Sequence, residues 1–312
     1  MKSDSSELVA LVDTSRYADL TDAIIKALEL INFNFGKKPK KVAIKTNMCY
    51  YWQSTTGETT DPKVIEAIID VLRIKFNPDE ILVVESDATA MRAKHAFKTL
   101  GYEKLAAKKK VKLLNLCEEE TLPVPNETSS ISKKIKIPKI LTEVDLFISV
   151  PKLKLHRLVG VTCSLKNQFG CIPVQRKVGF HNQLKEAIAL INKHVPPDLI
   201  IVDGIIAGGK TPKKLDLIMA SSDPVAVDSV AAKIAGFNPK RIKHIVESEK
   251  TGVGSTNFQC VGDDIQHFIN KFPRKGFVSS VARSVLLKVY TFYLRHFTLE
   301  GKLFKKQPSL GG

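Results

Sequence analysis

The feature that most constrains the fold is the alternation of short apolar runs with amphipathic segments over the first hundred residues. Apolar runs at 8–13, 40–47 and 80–86 predict strands, whereas 19–30 and the segment starting at Asp61-Pro62 have helical periodicity. A repeated strand, loop and helix order is typical of a parallel α/β sheet. Ligands of such sheets bind beyond the carboxyl ends of the strands. We therefore predict an α/β fold with mostly parallel strands, flanking helices and a site at that edge.

The second half of the chain continues the pattern after an irregular stretch. Residues 118–132 are rich in proline, serine and acidic residues and predict an exposed connection. Further strands are predicted at 111–116, 145–150, 198–203 and 215–220, and further helices at 183–194, after Asp223-Pro224, and from Asn238-Pro239 towards Gly252. We predict an α/β domain over 1–270, divisible into two lobes near 118–132, followed by a tail at 271–312.

Cysteine use and apolar patterning indicate the compartment. The five cysteines are scattered and odd in number, which disfavours a disulfide framework and a ferredoxin-type iron–sulfur motif. No apolar stretch reaches the roughly 18 residues of a membrane-spanning helix, and the N-terminus lacks the features of a signal peptide. These patterns predict a cytoplasmic protein.

The positive charge is concentrated at the C-terminal end. Of the formal net charge of +16, the tail from Lys271 onward carries +8, with Glu300 as its one acidic residue. Within it, 276–306 has the pattern of a basic amphipathic helix. Such a helix can dock on the body of the protein, pair with another subunit in a homo-oligomer, or lie on an anionic membrane surface. Nucleic-acid binding rests on the charge alone, since no recognised motif accompanies it.

The segment 204–211 has the letters of a phosphate-binding loop, G-x-x-x-x-G-K-[ST]. That loop works because its lysine and threonine open a helix whose N–H groups contact phosphates. Here Pro212 and a predicted strand follow instead. We therefore interpret the segment as a turn at the end of a strand that positions Asp203.

The main candidate site is the segment 151–181, predicted to be a loop after the strand at 145–150. Its lysines, arginine and histidines can pair with an anion, hold a metal, or supply a nucleophile or base. The catalytic candidates are His156, Lys166 and His181, and the two histidines are also the candidate metal ligands. The candidate anion-binding residues are Lys45, Asn47, Thr60, Lys154, Asn167 and Arg176, and the candidate carboxylates are Glu85 and Asp203.

Several motifs in order resemble the family known as domain of unknown function 362, along about the first 265 residues. They are Lys45-Thr-Asn47 with the Thr-Gly-Glu-Thr-Thr-Asp-Pro stretch, Lys154-Leu-His156 with Leu165-Lys-Asn167 and Gly170, Arg176 with His181, Val202-Asp-Gly204, and Ser222-Asp-Pro-Val-Ala-Val-Asp228. The family name implies no activity. Many relatives carry a ferredoxin-like cysteine segment, which this sequence lacks.

The site segment also resembles the N-terminal domain of nickel-pincer lactate racemases. His156, Lys166 and His181 are separated by 10 and 15 residues, close to that family's spacing of a histidine, the lysine that bonds the pincer cofactor, and a nickel-coordinating histidine. The resemblance implies a transition metal or a metallocofactor, and a racemase-like or epimerase-like reaction.

Two function classes remain open. The first is an enzyme, or an enzyme-derived protein, that binds an anionic small molecule and acts next to a carboxylate, as a metal-dependent or metallocofactor-dependent isomerase or an oxidoreductase. The second is a non-catalytic basic module that binds nucleic acid or an anionic membrane surface, with an affinity that falls steeply as salt rises.

Overall fold

The computed structural model describes residues 6–34, 36, 38–48, 50–125, 129–156, 158–209 and 211–272. The strands are β1 (Glu7–Asp13), β2 (Lys41–Lys45), β3 (Glu80–Glu85), β4 (Lys112–Asn115), β5 (Thr121–Pro123), β6 (Lys136–Pro138), β7 (Leu146–Ser149), β8 (Lys152–His156), β9 (Gly160–Thr162), β10 (Leu199–Gly208), β11 (Lys213–Ser221) and β12 (Phe258–Gly262). The α-helices are α1 (Leu20–Leu30), α2 (Pro62–Lys75), α3 (Ala93–Thr99), α4 (Tyr102–Lys109), α5 (Ser164–Gln168), α6 (Leu184–His194), α7 (Pro224–Ile234), α8 (Lys243–Lys250) and α9 (Ile265–Lys271).

Most strands form one twisted sheet in the order β12-β1-β11-β10-β7-β2-β3-β4, with β8 and β9 attached beside β10. The pairs from β10 through β7, β2 and β3 to β4 are parallel, whereas β11 is antiparallel to both of its neighbours. The sheet thus joins strands from both sides of the connection 118–132. The mostly parallel α/β architecture predicted from the sequence is confirmed.

Each face of the sheet is covered by helices from one half of the chain. One core contains the buried faces of α1 to α4, and the other contains those of α5 to α9. The helix starts follow the sequence signals: Asp19, Asp61 and Asp223 each accept N–H bonds from the first turn of α1, α2 and α7. Because two faces are covered, the strands are apolar on both sides, which explains their nearly continuous apolar runs.

The segment predicted to be a loop after 145–150 is more regular than expected. Residues Lys152–His156 form β8, which pairs parallel to β10, and a tight turn leads into β9. The sequence K-L-K-L-H already alternates with the period of a strand. A short helix, α5, and a 3-10 helix at Lys177–Gln183 follow before α6.

The phosphate-loop pattern lies in a β-hairpin, as its downstream sequence indicated. Strand β10 runs on through Gly208, and β11 returns antiparallel to it, so Asp203 lies within a strand and not at a strand end. A Cβ on Gly57 would come within 2.6 Å of the Gly208 backbone nitrogen, so these two glycines permit a close backbone approach. The prediction of a turn directly after Asp203 is therefore wrong. A strand follows the motif where a phosphate-binding loop would have a helix, as the sequence indicated.

The last described helix reaches the domain boundary predicted at residue 270. Lys271 is the last residue of α9, and Phe272 is buried in the core. The basic amphipathic helix predicted within 276–306 lies outside the described residues. Among the helices that the structure describes, none is long and apolar enough to cross a bilayer.

Candidate functional site

Three neighbouring parallel strands bring the predicted site residues to one edge. Lys45 is paired with Ser149 of β7 and with Val84 of β3, so these strands end side by side. The carboxyl edge of the sheet is where α/β proteins bind ligands. The segment from β8 to the 3-10 helix Lys177–Gln183 lies across this edge, because α5 and Gly170 contact groups at the ends of β2, β3 and β7.

Lys45 and Glu85 form a buried ion pair at this edge. Lys45 Nζ lies 2.6 Å from Glu85 Oε1, and the two side chains are 1% and 4% exposed. Glu85 also accepts bonds from the N–H groups of Met48 and Ser86. Gly170 leaves room for the ammonium group, since a Cβ there would lie 3.0 Å from Lys45 Nζ. Both charges are thus paired within the protein, and a ligand contact of either residue stays a prediction.

Strand β8 holds two more paired lysines. Lys152 Nζ lies 2.8 Å from Asp203 Oδ1, and both side chains are buried. Asp203 also accepts the N–H of Asp61, which starts α2. Lys154 Nζ donates to the Glu58 carbonyl at 2.6 Å and lies 3.6 Å from its carboxylate. Asp203 therefore joins β8 to α2, and Lys154 joins β8 to the loop before α2.

An amide network links α5 to the strand ends. Asn167 accepts a bond from the Asn47 side chain at 3.2 Å and donates to Ser149 Oγ at 3.1 Å. Thr60 accepts the N–H of Asn47 and donates to the Val150 carbonyl. The predicted ligand contacts Asn47, Asn167 and Thr60 do lie together, but they hold the site segment on the sheet.

The three predicted catalytic residues form a basic cluster, defined here as His156, Lys166 and His181. Lys166 Nζ lies 4.3 Å from the centroid of the Phe169 ring, a cation–π distance. Burial lowers the pKa of both histidines, and the charge of Lys166 lowers each of them further. The charge of Lys166 thus acts on two histidines that are 25 positions apart in the sequence.

His156 is held as a neutral imidazole. Burial, followed by the charges of Lys166 and Lys154 and by two other histidines, lowers its pKa to about 3. Its Nδ1 accepts the N–H of Leu158 at 3.1 Å. In a neutral imidazole the second nitrogen then carries the proton. His156 Nε2 is therefore a hydrogen-bond donor at neutral pH.

His181 and Arg176 lie at the exposed rim of the segment. Partial burial and the charge of Lys166 lower the pKa of His181, so this imidazole is neutral at pH 7 and can accept a proton. The rim thus combines a neutral donor at His156, a cation at Lys166 and a neutral base at His181.

The metal prediction receives no support from this donor set. In the part of the chain that the structure describes, no three His, Cys, Asp or Glu side chains are grouped closely enough to hold a metal. His156 already uses Nδ1, and burial raises the pKa of Cys163 and Cys171, which disfavours thiolate ligands. These residues do not fit a metal held by side chains alone, and metal binding stays a prediction.

Sequence reasoning missed Lys177. Its ammonium group is buried and donates to Ser86 Oγ at 2.8 Å and to the carbonyls of Asp87 and Val174 at 2.6 and 3.0 Å. Burial lowers its pKa. The neighbouring Val178 and Gly179 are exposed, so no local pattern marks Lys177 as an inward residue.

Sequence reasoning also missed the buried polar side chains that bind the backbone of α5. Asp228 Oδ1 accepts the N–H of Leu165 at 3.1 Å, and Asn192 donates to the carbonyl of the same residue at 2.9 Å. His244 Nε2 lies 3.4 Å from Asp228 Oδ2, and both side chains are buried. Asp228 and His244 are 16 positions apart, and nothing in the sequence pairs them.

A family model described as domain of unknown function (DUF362) matches residues 42–233. The chain belongs to the DUF362 family. The match includes each residue of the basic cluster and both buried ion pairs, Lys45–Glu85 and Lys152–Asp203. The matched segment thus contains the residues described above at the carboxyl edge of the sheet. The family description states no activity.

Two individual proteins are similar to this DUF362 chain. The thylakoid-associated protein sll1697 of Synechocystis sp. is 31% identical over 135 residues, which cover 39% of this chain and 42% of that protein. The lactate racemase apoprotein of Thermoanaerobacterium thermosaccharolyticum matches in structure with a TM-score of 0.47 and 12% identity, over 73% of this chain and 57% of that chain. The chain thus spans about half the length of each protein.

Proposed function

We propose that this DUF362 protein binds a small carboxylate at the basic cluster and moves a proton at the carbon beside the carboxylate group. The observation that supports this most directly is the environment of His156. Burial is the largest cause of its lowered pKa, and the charges of Lys166 and Lys154, which are positive at pH 7, lower it further. A site with this concentration of positive potential favours an anion.

The cluster offers separate roles to its three side chains. The Lys166 ammonium pairs with the carboxylate, and His156 Nε2–H donates a hydrogen bond to it. The neutral His181 accepts the proton from the adjacent carbon and returns it to that carbon. Positive charge at Lys166 stabilises the negative charge that develops as the proton leaves. The buried ion pairs behind the cluster hold its segment on the sheet.

Acetate is the probe for binding, followed by the NMR signals of the histidine rings. Acetate should shift the His156 and His181 signals, and Lys166→Met should weaken binding by about 10- to 100-fold, since hydrogen bonds to charged groups are worth about 1.5–3 kcal/mol. Lys104→Met, which removes an exposed lysine of α4, is the matched control and should bind acetate normally. Equal binding by both variants would refute the proposal.

Acetate binding should also depend on pH. A bound carboxylate stabilises the imidazolium form, so it raises the depressed pKa of His156 from about 3. The complex therefore takes up a proton at a higher pH than the free protein does, and the affinity for the acetate ion should increase as the pH falls towards the raised pKa. A His156 pKa that acetate leaves unchanged, followed by NMR titration of the ring signals, would contradict the placement of the carboxylate beside His156.

Proton transfer is tested by loss of the C–H signal of glycolate or succinate in deuterium oxide. The wild-type protein should catalyse exchange at the carbon beside the carboxylate, and His181→Gln should lose this exchange while it retains acetate binding. Exchange that is unchanged in His181→Gln would remove His181 from the role of base.

A further inference from the structure

The outward side of α8 is basic. The segment 233–250 contains five lysines and arginines against two glutamates. The buried residues of α8 lie on one side of the helix and are His244, Ile245 and Ser248. Residues three and seven positions apart share one face of a helix. Lys243, Val246 and Lys250 therefore form the opposite side, and all three are exposed.

Two further cations stand directly before this helix. Lys240 and Arg241 lie in the 3-10 turn Pro239–Arg241, and both are exposed. The Asn238 side chain accepts the N–H of Lys240 at 3.0 Å, and its carbonyl accepts the N–H of Arg241 at 3.0 Å. Ile242, between the turn and α8, is buried. These contacts hold both cations next to the first turn of α8.

The acidic side chains of α8 have partners other than these cations. Glu247 Oε2 lies 2.6 Å from Lys185 Nζ of α6. Glu249 Oε1 accepts the N–H and the hydroxyl of Thr256 at 2.7 and 2.5 Å. The outward side of α8 thus keeps a positive potential, which favours an anionic partner.

We propose that the α8 surface, defined as Lys240, Arg241, Lys243, Val246 and Lys250, docks on a membrane surface that contains anionic lipid. Clusters of about four to eight lysines and arginines on an amphipathic helix are typical of surfaces that bind anionic lipids. This inference is independent of the carboxylate site and goes beyond it.

Val246 is the feature that favours lipid over nucleic acid. It is 42% exposed and lies between Lys243 and Lys250 on the same face. At a bilayer surface the cations pair with lipid phosphates, and the valine enters the apolar boundary below the headgroups. A nucleic acid backbone would meet the same charges but would offer this side chain no apolar environment.

Vesicle binding of the full chain tests the inference. The probes are vesicles of phosphatidylcholine mixed with phosphatidylglycerol, and vesicles of phosphatidylcholine alone. The fourfold variant Lys240→Gln, Arg241→Gln, Lys243→Gln, Lys250→Gln should bind the anionic vesicles about 10- to 100-fold more weakly than the wild type, since each cation near such a surface contributes about fivefold. The difference should vanish as salt is raised towards about 1 M.

The matched control is a second fourfold variant with the same change in net charge. It replaces exposed lysines of α3, of α4 and of the residue after α4, which lie on the opposite face of the sheet: Lys94→Gln, Lys98→Gln, Lys104→Gln and Lys110→Gln. It should bind the anionic vesicles nearly as the wild type does. Both variants retain the basic tail, and thermal melts check that both remain folded.

Val246→Ser tests the apolar contact separately from the charges. It should weaken binding to the anionic vesicles severalfold, because it removes apolar area that leaves water at the bilayer. Salt screens charges and leaves apolar contacts in place, so the ratio of wild-type to variant affinity should persist as salt rises.

Four results would overturn the inference. Equal losses in the two fourfold variants would show that net charge, and not the α8 surface, attracts the vesicles. Full binding by both variants would place the contact elsewhere in the chain. A wild-type protein that binds no anionic vesicles, or binds phosphatidylcholine alone equally well, would exclude docking on anionic lipid. Loss of RNA binding in the α8 variant alone, without vesicle binding by the wild type, would indicate a nucleic-acid interface.

Discussion

At the residue scale, the lysines of the carboxyl edge serve two different purposes. Lys45 and Lys152 are buried against Glu85 and Asp203, whereas Lys166 lies over an aromatic ring beside two neutral histidines. A buried charge with a close partner adds little net stability, but its loss leaves the partner charge buried without compensation. We therefore expect the paired lysines to stabilise the fold, and the proposed ligand contacts lie in the basic cluster.

Lys45→Met is expected to destabilise the fold strongly. Removal of one partner from a buried pair costs about 3–5 kcal/mol, so denaturant unfolding should shift by that amount. Adding Glu85→Gln should recover part of the loss, because the second change removes the uncompensated carboxylate.

Lys41→Met is the control for this prediction. Lys41 and Glu80 lie in β2 and β3, as Lys45 and Glu85 do, but their charged atoms are 3.9 Å apart and both side chains are 30% exposed. Breaking such a pair should cost under about 1 kcal/mol. Similar losses for Lys41→Met and Lys45→Met would show that the Lys45–Glu85 pair is not structural.

At the element scale, α5 is a short helix whose position depends on side chains from other helices. It contains five residues, fewer than a helix needs for stability on its own. Asp228 of α7 and Asn192 of α6 bind the two peptide groups of Leu165, next to Lys166. The location of the proposed ligand contact therefore depends on buried polar groups from two other elements.

Asp228→Ala should loosen α5 selectively. The N–H of Leu165 would lose its buried acceptor, at a cost of about 1–3 kcal/mol for an unsatisfied polar group. Hydrogen exchange should increase over 164–168, and acetate affinity should fall even where the protein remains folded. The control Asp19→Ala removes the N-cap of α1, costs about 1 kcal/mol and should raise exchange only there. Unchanged exchange in α5 would contradict the positioning role of Asp228.

At the scale of the whole molecule, one sheet with a separate core on each face carries the site at one edge. Residues 271 and 272 still belong to this body, since α9 ends at Lys271 and Phe272 is buried. The basic tail beyond them is the feature on which the second function class depends. The two proposed function classes thus depend on different parts of the chain.

Truncation after residue 274 tests the tail separately from the site. If the tail binds nucleic acid or an anionic membrane, the shortened protein should lose most of its salt-sensitive association with RNA or with anionic vesicles. Its unfolding midpoint and its acetate affinity should stay close to those of the full chain. Salt-sensitive association that survives truncation would exclude the tail as the binding element.

The local patterns of the sequence were sufficient for most of the fold. Apolar runs predicted β1, β2, β3, β7 and β10, and Asp-Pro pairs predicted the starts of α2 and α7. Pro212 argued against a phosphate-binding loop. These features depend on near neighbours in the chain, such as an Asp side chain that accepts N–H groups two or three residues later. The alternation in β8 carried the same kind of signal but was interpreted as a loop.

Only the tertiary structure decided which charged residues are already paired. Lys45 and Glu85 are 40 positions apart, and Lys152 and Asp203 are 51 apart, so no local pattern links either pair. The inward direction of Lys177 and the support of α5 by Asp228 likewise arise from contacts between distant elements. Sequence by itself determined the α/β fold, because it follows from local periodicity. The structure decided which charged residues at the carboxyl edge are paired and buried, because pairing and burial depend on residues that meet only after folding.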